Sequence, residues 1–245
     1  SKVFLFSVIG KDINSNFVID EIKKNNLNNN VIEDQSRVTT FKQRFRSDHK
    51  TMFKVSELIN DAISIDLQNK IIKKFKNIVS EIDIIVFSDF NYGMLPQNLV
   101  DKLMEIAQEN KIFVAADSQS SSQIGDISRF KNSDLLTPTE YEARVSSKNQ
   151  DDGLVTLSEL VRKKPKAKHV FLKLGKEGLL INSLIKNKDD IITDRIESLN
   201  KSPVDFAGAG DSMLIVSSMS LKISNDIWIS SYLGSLASAL QISRV

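Results

Sequence analysis

The chain has 245 residues, 41% of them hydrophobic, with 33 Lys and Arg against 31 Asp and Glu, two His and no Cys. Such a chain can bury the core of one large α/β domain, while its net charge of +2 is too small to argue for nucleic acid as a partner. Disulfide scaffolds, thiolate metal sites and Cys nucleophiles are excluded, no apolar run reaches the ~18 residues of a membrane span, and chemistry is left to carboxylates, hydroxyls, Lys, Arg and backbone amides.

No signal peptide opens the chain: Ser1-Lys2 leads straight into an apolar run at 3–8 that reads as a strand, so a cytoplasmic protein is expected. A helix is predicted over 14–24, followed by a loop at 25–30, where five of six residues are Asn. Residues 37–56 break the rhythm. Val38 to Arg46 alternate, Ser47-Asp48-His49-Lys50 reads as a turn, and Thr51 to Val55 alternate again. That is a hairpin with a polar face, either an edge of the main sheet or a flap over a site. Further on, helices are predicted over 67–79, 97–110, 153–163, 211–221 and 226–241, with strands at 84–87, 112–116, 135–136, 170–174 and 179–181. In the 97–110 helix, Leu99, Leu103, Ile106 and Ala107 share one face at helical spacing. Between the last two strands, Gly175-Lys176-Glu177-Gly178 reads as an ordinary tight turn. Strand–helix alternation with short connections argues for a doubly wound, mostly parallel sheet in a single domain spanning 1–245. The end of the chain reads as helix or helix-to-strand passage, as a piece of a longer chain would.

In doubly wound sheets, ligands bind beyond the carboxyl ends of the strands. Three neighbouring strand ends deliver hydroxyls and carboxylates there: Ser88-Asp89, Asp117-Ser118 and Thr137-Pro138-Thr139-Glu140. Singly, each would be turn chemistry. The sharpest feature is Gly208-Ala209-Gly210-Asp211 at a helix start. Glycines let the backbone approach a ligand closely, and the helix offers unpaired N–H groups to an anion. Asp211 is placed to take a proton from a hydroxyl while those amides stabilise a transferring phosphoryl group. A plain Gly-rich loop with Asp as helix cap fits the same spacing, which matches neither a Walker A loop nor GxGxxG.

Taken in order, these residues resemble the ribokinase-like (PfkB-type) carbohydrate kinases, and most of all the kinase domain of the bacterial heptose-7-phosphate kinase/ADP-heptose synthases. The resemblance runs through Val8-Ile9-Gly10-Lys11-Asp12, Thr39-Thr40-Phe41-Lys42-Gln43-Arg44, Ser88-Asp89-Phe90-Asn91-Tyr92-Gly93 and Asp117. It continues through Leu135-Leu136-Thr137-Pro138 with Glu142, Lys173-Leu174-Gly175 with Gly178, and Asp205 with Gly208-Ala209-Gly210-Asp211. It implies a ribokinase-like fold with a small β lid at about 37–56, ATP and Mg²⁺ as cofactors, and phosphate transfer to a sugar or sugar phosphate, a heptose phosphate first. It also implies roles. Asp211 is the base, and Gly208, Ala209 and Gly210 form the anion hole. Asp205 and Thr139 lie near the phosphates and Glu142 near the metal. Lys173, Gly175 and Gly178 flank the nucleotide. Lys42 and Arg44 face a sugar phosphate from the lid, and Asp89 and Asp117 lie on the substrate side. A homodimer could clasp through the lid by Val38, Phe41, Phe45 and Phe53. No nucleic acid or membrane partner is implied.

The pattern departs from the family at Ala207 for the usual Thr, Tyr92 for Lys, Thr139 for Asn, and Ser118-Gln119 for Pro-Lys. A Gly-Gly-x-x-x-Asn sugar motif and a C-terminal stretch over adenine are absent, so the domain reads as short at both ends. These departures motivate an alternative: a non-catalytic member that binds nucleotide or sugar in a regulatory or interaction role. Of the remaining residues, His49 and His169 read as surface, 162–168 as a solvated basic helix end, and Phe206 and Trp228 as packing.

Overall fold

The structure, a computed structural model, describes residues 2–47, 50–120, 123–184 and 191–244, so the predicted turn at Asp48-His49 lies outside the described residues. It separates into two units, Ser1–Ser80 with Tyr92–Lys102 and Glu81–Asn91 with Leu103–Val245.

In the first unit the apolar run at 3–8 is not one strand. It splits into β1 (Phe4–Leu5) and β2 (Val8–Ile9), followed by α1 (Ile13–Lys24), β3 (Asn28–Asn29) and β4 (Ile32–Glu33). β1 pairs in parallel with β3, and β2 with β4. The loop expected at 25–30 is therefore corrected: Asn28 N donates to Val3 O at 2.9 Å and Asn30 N to Leu5 O at 3.0 Å. The Asn28 side-chain amide adds a bond to Val3 O, so a polar residue serves this short ladder with backbone and side chain alike. Asp12 caps α1 by accepting from Ser15 N and also accepts Thr39 N at 2.6 Å, and the Thr39 amide holds its carboxyl below the ordinary range.

The hairpin is β5 (Phe41–Ser47) and β6 (Lys50–Glu57), antiparallel, with Phe45 and Phe53 stacked at 4.3 Å between ring centroids. It forms a two-stranded sheet of its own and is not an edge of the main sheet. α2 (Ile65–Ile78) buries Leu67, Ile71 and Phe75 at helical spacing. α3 (Gln97–Glu109) passes from this unit into the second, with the four predicted face residues all buried.

The second unit is built on one six-stranded sheet: β7 (Ile84–Asp89), β8 (Phe113–Ser118), β9 (Leu135–Leu136), β10 (His169–Lys173), β11 (Leu179–Leu184) and β12 (Ile191–Ile196), adjacent in chain order. β7 to β10 are parallel; β11 and β12 return antiparallel. The turn at 175–178 joins β10 to β11 as a hairpin, as expected. Four helices flank the sheet: α4 (Glu140–Ser147), α5 (Leu154–Lys163), α6 (Ala209–Ser224) and α7 (Ile227–Gln241). On one face, Ala115, Leu135, Phe171, Leu179 and Ile181 pack against Met213, Leu214 and Leu221 of α6. Each Leu, Ile, Phe or Met side chain among these, taken fully out of water, contributes about 1.5–3 kcal/mol. On the other face, Asn182 accepts Arg162 Nε from α5 at 2.7 Å. Arg162 is thus 3% exposed, which corrects the reading of 162–168 as a wholly solvated run. Phe206, at 69% exposed, does not pack as expected. Among the described residues, no helix is long and apolar enough to cross a membrane.

Candidate active site

The site grows from the start of α6. Gly208 stands as its N-cap with φ of 78°, a left-handed conformation that suits glycine. The loop before it is pinned at several points. Ala207 N donates to Asp205 Oδ1 at 3.0 Å, Gln241 Nε2 to Ala207 O at 3.3 Å, and Val204 N to Ile242 O at 2.8 Å. The end of α7 therefore sets the approach to α6. First-turn amides of a helix have no partner within it, and the helix dipole adds positive potential there. Gly210 and Asp211 occupy that turn.

The half-buried Asp211 carboxylate is steadied by two strand-end side chains. Its Oδ1 accepts from Gln119 Nε2 at 3.2 Å, just beyond β8, and from Ser88 Oγ at 3.4 Å, in β7. Beside it, Asp117 is fully buried and pairs through Oδ2 with Lys173 Nζ at 2.7 Å. Burial pushes the Asp117 carboxyl up, against the pull of the Lys173 ammonium, and the charges of Glu142 and Asp211 push it further. Asp117 thus feels two further carboxylates besides the one ammonium that pairs with it.

Glu142 and Thr139 form a capping box on α4: Glu142 N donates to Thr139 Oγ1, and Thr139 N to Glu142 Oε2 at 2.7 Å. The other Glu142 oxygen accepts Ser120 N at 3.0 Å, so this carboxylate ties the segment after β8 to α4. No group of three potential metal ligands converges among the described residues. The donors are nonetheless all oxygen, and their excess negative charge suits a hard cation such as Mg²⁺.

Asp89 stands one step back. Its oxygens accept Asn91 N at 2.9 Å and Arg129 Nη1 at 3.1 Å. Asn91 Nδ2 in turn reaches Gln119 O at 2.9 Å, and Asp89 O accepts Gln119 N at 2.8 Å, so Asp89 helps to fix the segment that carries Gln119. Gly175 and Gly178 shape the β10–β11 turn just after Lys173, both at positive φ. Lys42 and Arg44 belong to the other unit: Lys42 Nζ lies 4.6 Å from the Tyr92 ring centroid, and Arg44 is exposed on β5. The hairpin residues Phe41, Phe45 and Phe53 are exposed as well.

Asp211, Gly210, Asp117 and Lys173 are therefore gathered at one locus, with Thr139 and Glu142 adjoining it. Sequence reasoning gave no role to Ser88 or Gln119 as partners of Asp211, nor to Arg129 and Ser120. Ser88 and Gln119 carried a signal, since both sit at strand ends. Gln241, 34 residues from the Ala207 carbonyl it reaches, carried none. A separate cleft lined by Phe113, Asp134, His169, Leu221 and Trp228, among others, lies at the opposite ends of the strands and holds none of these residues.

A family model described as pfkB family carbohydrate kinase matches residues 1–243. Among curated proteins, the Bifunctional protein HldE of Helicobacter pylori (strain Shi470) is 25% identical over 232 residues, covering 91% of this chain and 48% of that protein. HldE of Campylobacter fetus subsp. fetus (strain 82-40) is 26% identical over 256 residues, covering 100% and 52%. The chain thus spans about half the length of the curated relatives it matches. Among solved structures, phosphofructokinase-2 from Escherichia coli in complex with potassium is similar with a TM-score of 0.80 at 15% identity, over 100% of this chain and 77% of that one. Ribokinase from Thermotoga maritima is similar with a TM-score of 0.72 at 20% identity, over 99% and 75%. These likenesses establish a ribokinase-like fold.

Proposed function

The chain belongs to the pfkB family of carbohydrate kinases, and on that premise we propose that it transfers the terminal phosphoryl group of ATP to a hydroxyl of a sugar or sugar phosphate, with Asp211 as the general base. The observation that carries this reading is the carboxylate of Asp211 in the first turn of α6, oriented by Ser88 and Gln119. Asp211 takes the proton of the acceptor hydroxyl as its oxygen bonds to the γ-phosphorus. The bond from that phosphorus to the bridging oxygen breaks, and ADP leaves. Charge on the group in flight faces the amides of the Gly208–Gly210 turn, so catalysis is positioning and electrostatics. Mg²⁺, bound with ATP, would neutralise phosphate charge, with Glu142 nearest the metal and Asp205 near the phosphates. A heptose 7-phosphate is the first choice of acceptor, on the likeness of Thr39-Thr40-Phe41-Lys42-Gln43-Arg44 and Ser88-Asp89 to the heptose kinases.

The test is ADP release from ATP and Mg²⁺ across a panel of sugars and sugar phosphates that includes heptose 7-phosphates. Asp211→Asn is expected to keep nucleotide binding and to lose ~10²–10⁴ in turnover; turnover at the wild-type rate would remove Asp211 from the mechanism. The departures at Ala207, Tyr92 and Gln119 favour a second reading, a nucleotide- or sugar-binding protein without activity. Thermal stabilisation by ATP and Mg²⁺ with no turnover on any acceptor would select it.

A further inference from the structure

The family pattern gives Lys173 no more than a place beside the nucleotide. The geometry is more specific. Its Nζ lies 2.7 Å from Asp117 Oδ2, with the two side chains 13% and 1% exposed. The second Asp117 oxygen is buried with no hydrogen-bond partner. Lys173 is thus the counter-charge on which a buried carboxylate depends. The same ammonium lies against the first turn of α6. A side-chain carbon added to Gly210 would sit 3.2 Å from Lys173 Nζ and 3.8 Å from Asp117 Oδ2. Gly210 is not among the residues with positive φ, so room for the ammonium, rather than backbone torsion, explains a glycine there.

An ammonium has three hydrogens to donate, and the Asp117 contact uses one. We propose that Lys173 donates another to the phosphoryl group in flight at the start of α6, with Asp117 holding it in place and Gly210 making room for it. The inference rests on the kinase reading above. No bond to Lys173 forms or breaks, and it keeps its proton throughout. The phosphoryl oxygens gain a charged donor beside the helix-start amides, at the point where negative charge is spread over them. Asp117 serves as a positioning residue, because it acts only through Lys173.

The competing account is structural: Lys173 does no more than neutralise Asp117. Lys173→Met alone strands a buried carboxylate, so the discriminating variant is Lys173→Met/Asp117→Asn, which removes both charges with little change of shape. On the full chain, two quantities are read: turnover with the acceptor that the panel identifies, and affinity for ADP with Mg²⁺, with and without aluminium fluoride, a stand-in for the transferring group. The double variant is expected to melt near the wild type and to bind ADP within about threefold of it. Turnover should fall ~10²–10³, and the affinity gained from aluminium fluoride should be lost. A double variant with wild-type turnover and the wild-type aluminium fluoride gain would overturn the proposal in favour of the structural account. Gly210→Ala should lower turnover in the wild type and add nothing in the double variant; an equal loss in both backgrounds would break the link between Gly210 and Lys173. Asp211→Asn keeps the two readings apart. An active Asp211→Asn removes the proposed base, whereas an inactive one beside a fully active double variant removes only the role of Lys173.

Discussion

Two buried carboxylates at neighbouring strand ends are each held by one cation, and removing the cation is costlier than removing the pair. Asp89, 4% exposed, relies on Arg129, whose guanidinium lies 3.1 Å away and whose side chain is only 16% exposed. Burial pushes the Asp89 carboxyl above its ordinary 3.8, with the Asn91 amide and Arg129 pulling against it. Arg129→Met strands the charge, and a loss of about 3–5 kcal/mol is expected. The pH dependence fixes the sign. A folded-state pKa above the unfolded one means the folded protein binds its proton more tightly, so stability falls as pH rises through the interval from 3.8 upward. Without Arg129 that interval extends higher. Acidification from neutrality should therefore bring the variant closer to the wild type. Denaturant melts at neutral and mildly acid pH would show it, and a pH-independent deficit would contradict the assignment of the loss to the stranded Asp89 charge.

At the scale of the element, α4 shows how a site residue is also a fold residue. Thr139 stands where the family usually has Asn, and here its hydroxyl caps the helix while Glu142 reaches back to its amide. Thr139→Ala should cost about 0.5–2 kcal/mol, whereas Thr139→Asn should lose almost nothing, because Asn is at least as good an N-cap. Chemical denaturation of the two variants reads this directly; equal losses would mean that capping is not what Thr139 contributes. The capping box was present in the sequence as Thr139-x-x-Glu142, yet α4 was not predicted, because eight residues give too little periodicity to stand out. β3 escaped for a different reason. Asn disfavours strands, and only the ladder from Val3 and Leu5 places Asn28–Asn29 in one. β12 is an edge strand with no fully buried residue, so it lacks the apolar run that marked its neighbours. By contrast, β8 and β10 were legible because strands buried on both faces read as continuous apolar stretches, and β7, though partly exposed at the sheet edge, begins with an apolar run, Ile84-Ile85-Val86-Phe87. The same logic divides the site. That Asp89, Asp117 and Thr139 lie at carboxyl ends follows from topology alone. The pairing of Asp117 with Lys173 across 56 residues, and of Ser88 with Asp211 across 123, depends on sheet register and helix placement that no local pattern encodes.

At the scale of the whole molecule, the two units differ in how their backbone bonds are secured. In the second unit β10 is bonded on both sides, to β9 and β11, and Val170, Phe171 and Leu172 are completely buried. Exposing any of these amides requires parting a ladder whose side chains fill the core, so opening there should approach global unfolding. In the first unit β1 to β4 are two-residue strands, and each pairing spans only two residues. Its longer hairpin, β5 with β6, stands as a two-stranded sheet whose Phe45 and Phe53 remain 38% and 56% exposed. An isolated pair of strands is marginal in water, and opening it uncovers little apolar surface that was not already wet. Hydrogen exchange on the full chain should therefore find the β8 and β10 amides slowest, with hairpin amides faster by on the order of 100-fold or more. Amides of β5 and β6 as slow as those of β10 would show that the hairpin is covered in solution. Adding ADP and Mg²⁺ then locates the consequence of binding: the kinase reading requires new protection over 204–212, which a ligand seated elsewhere would leave unchanged.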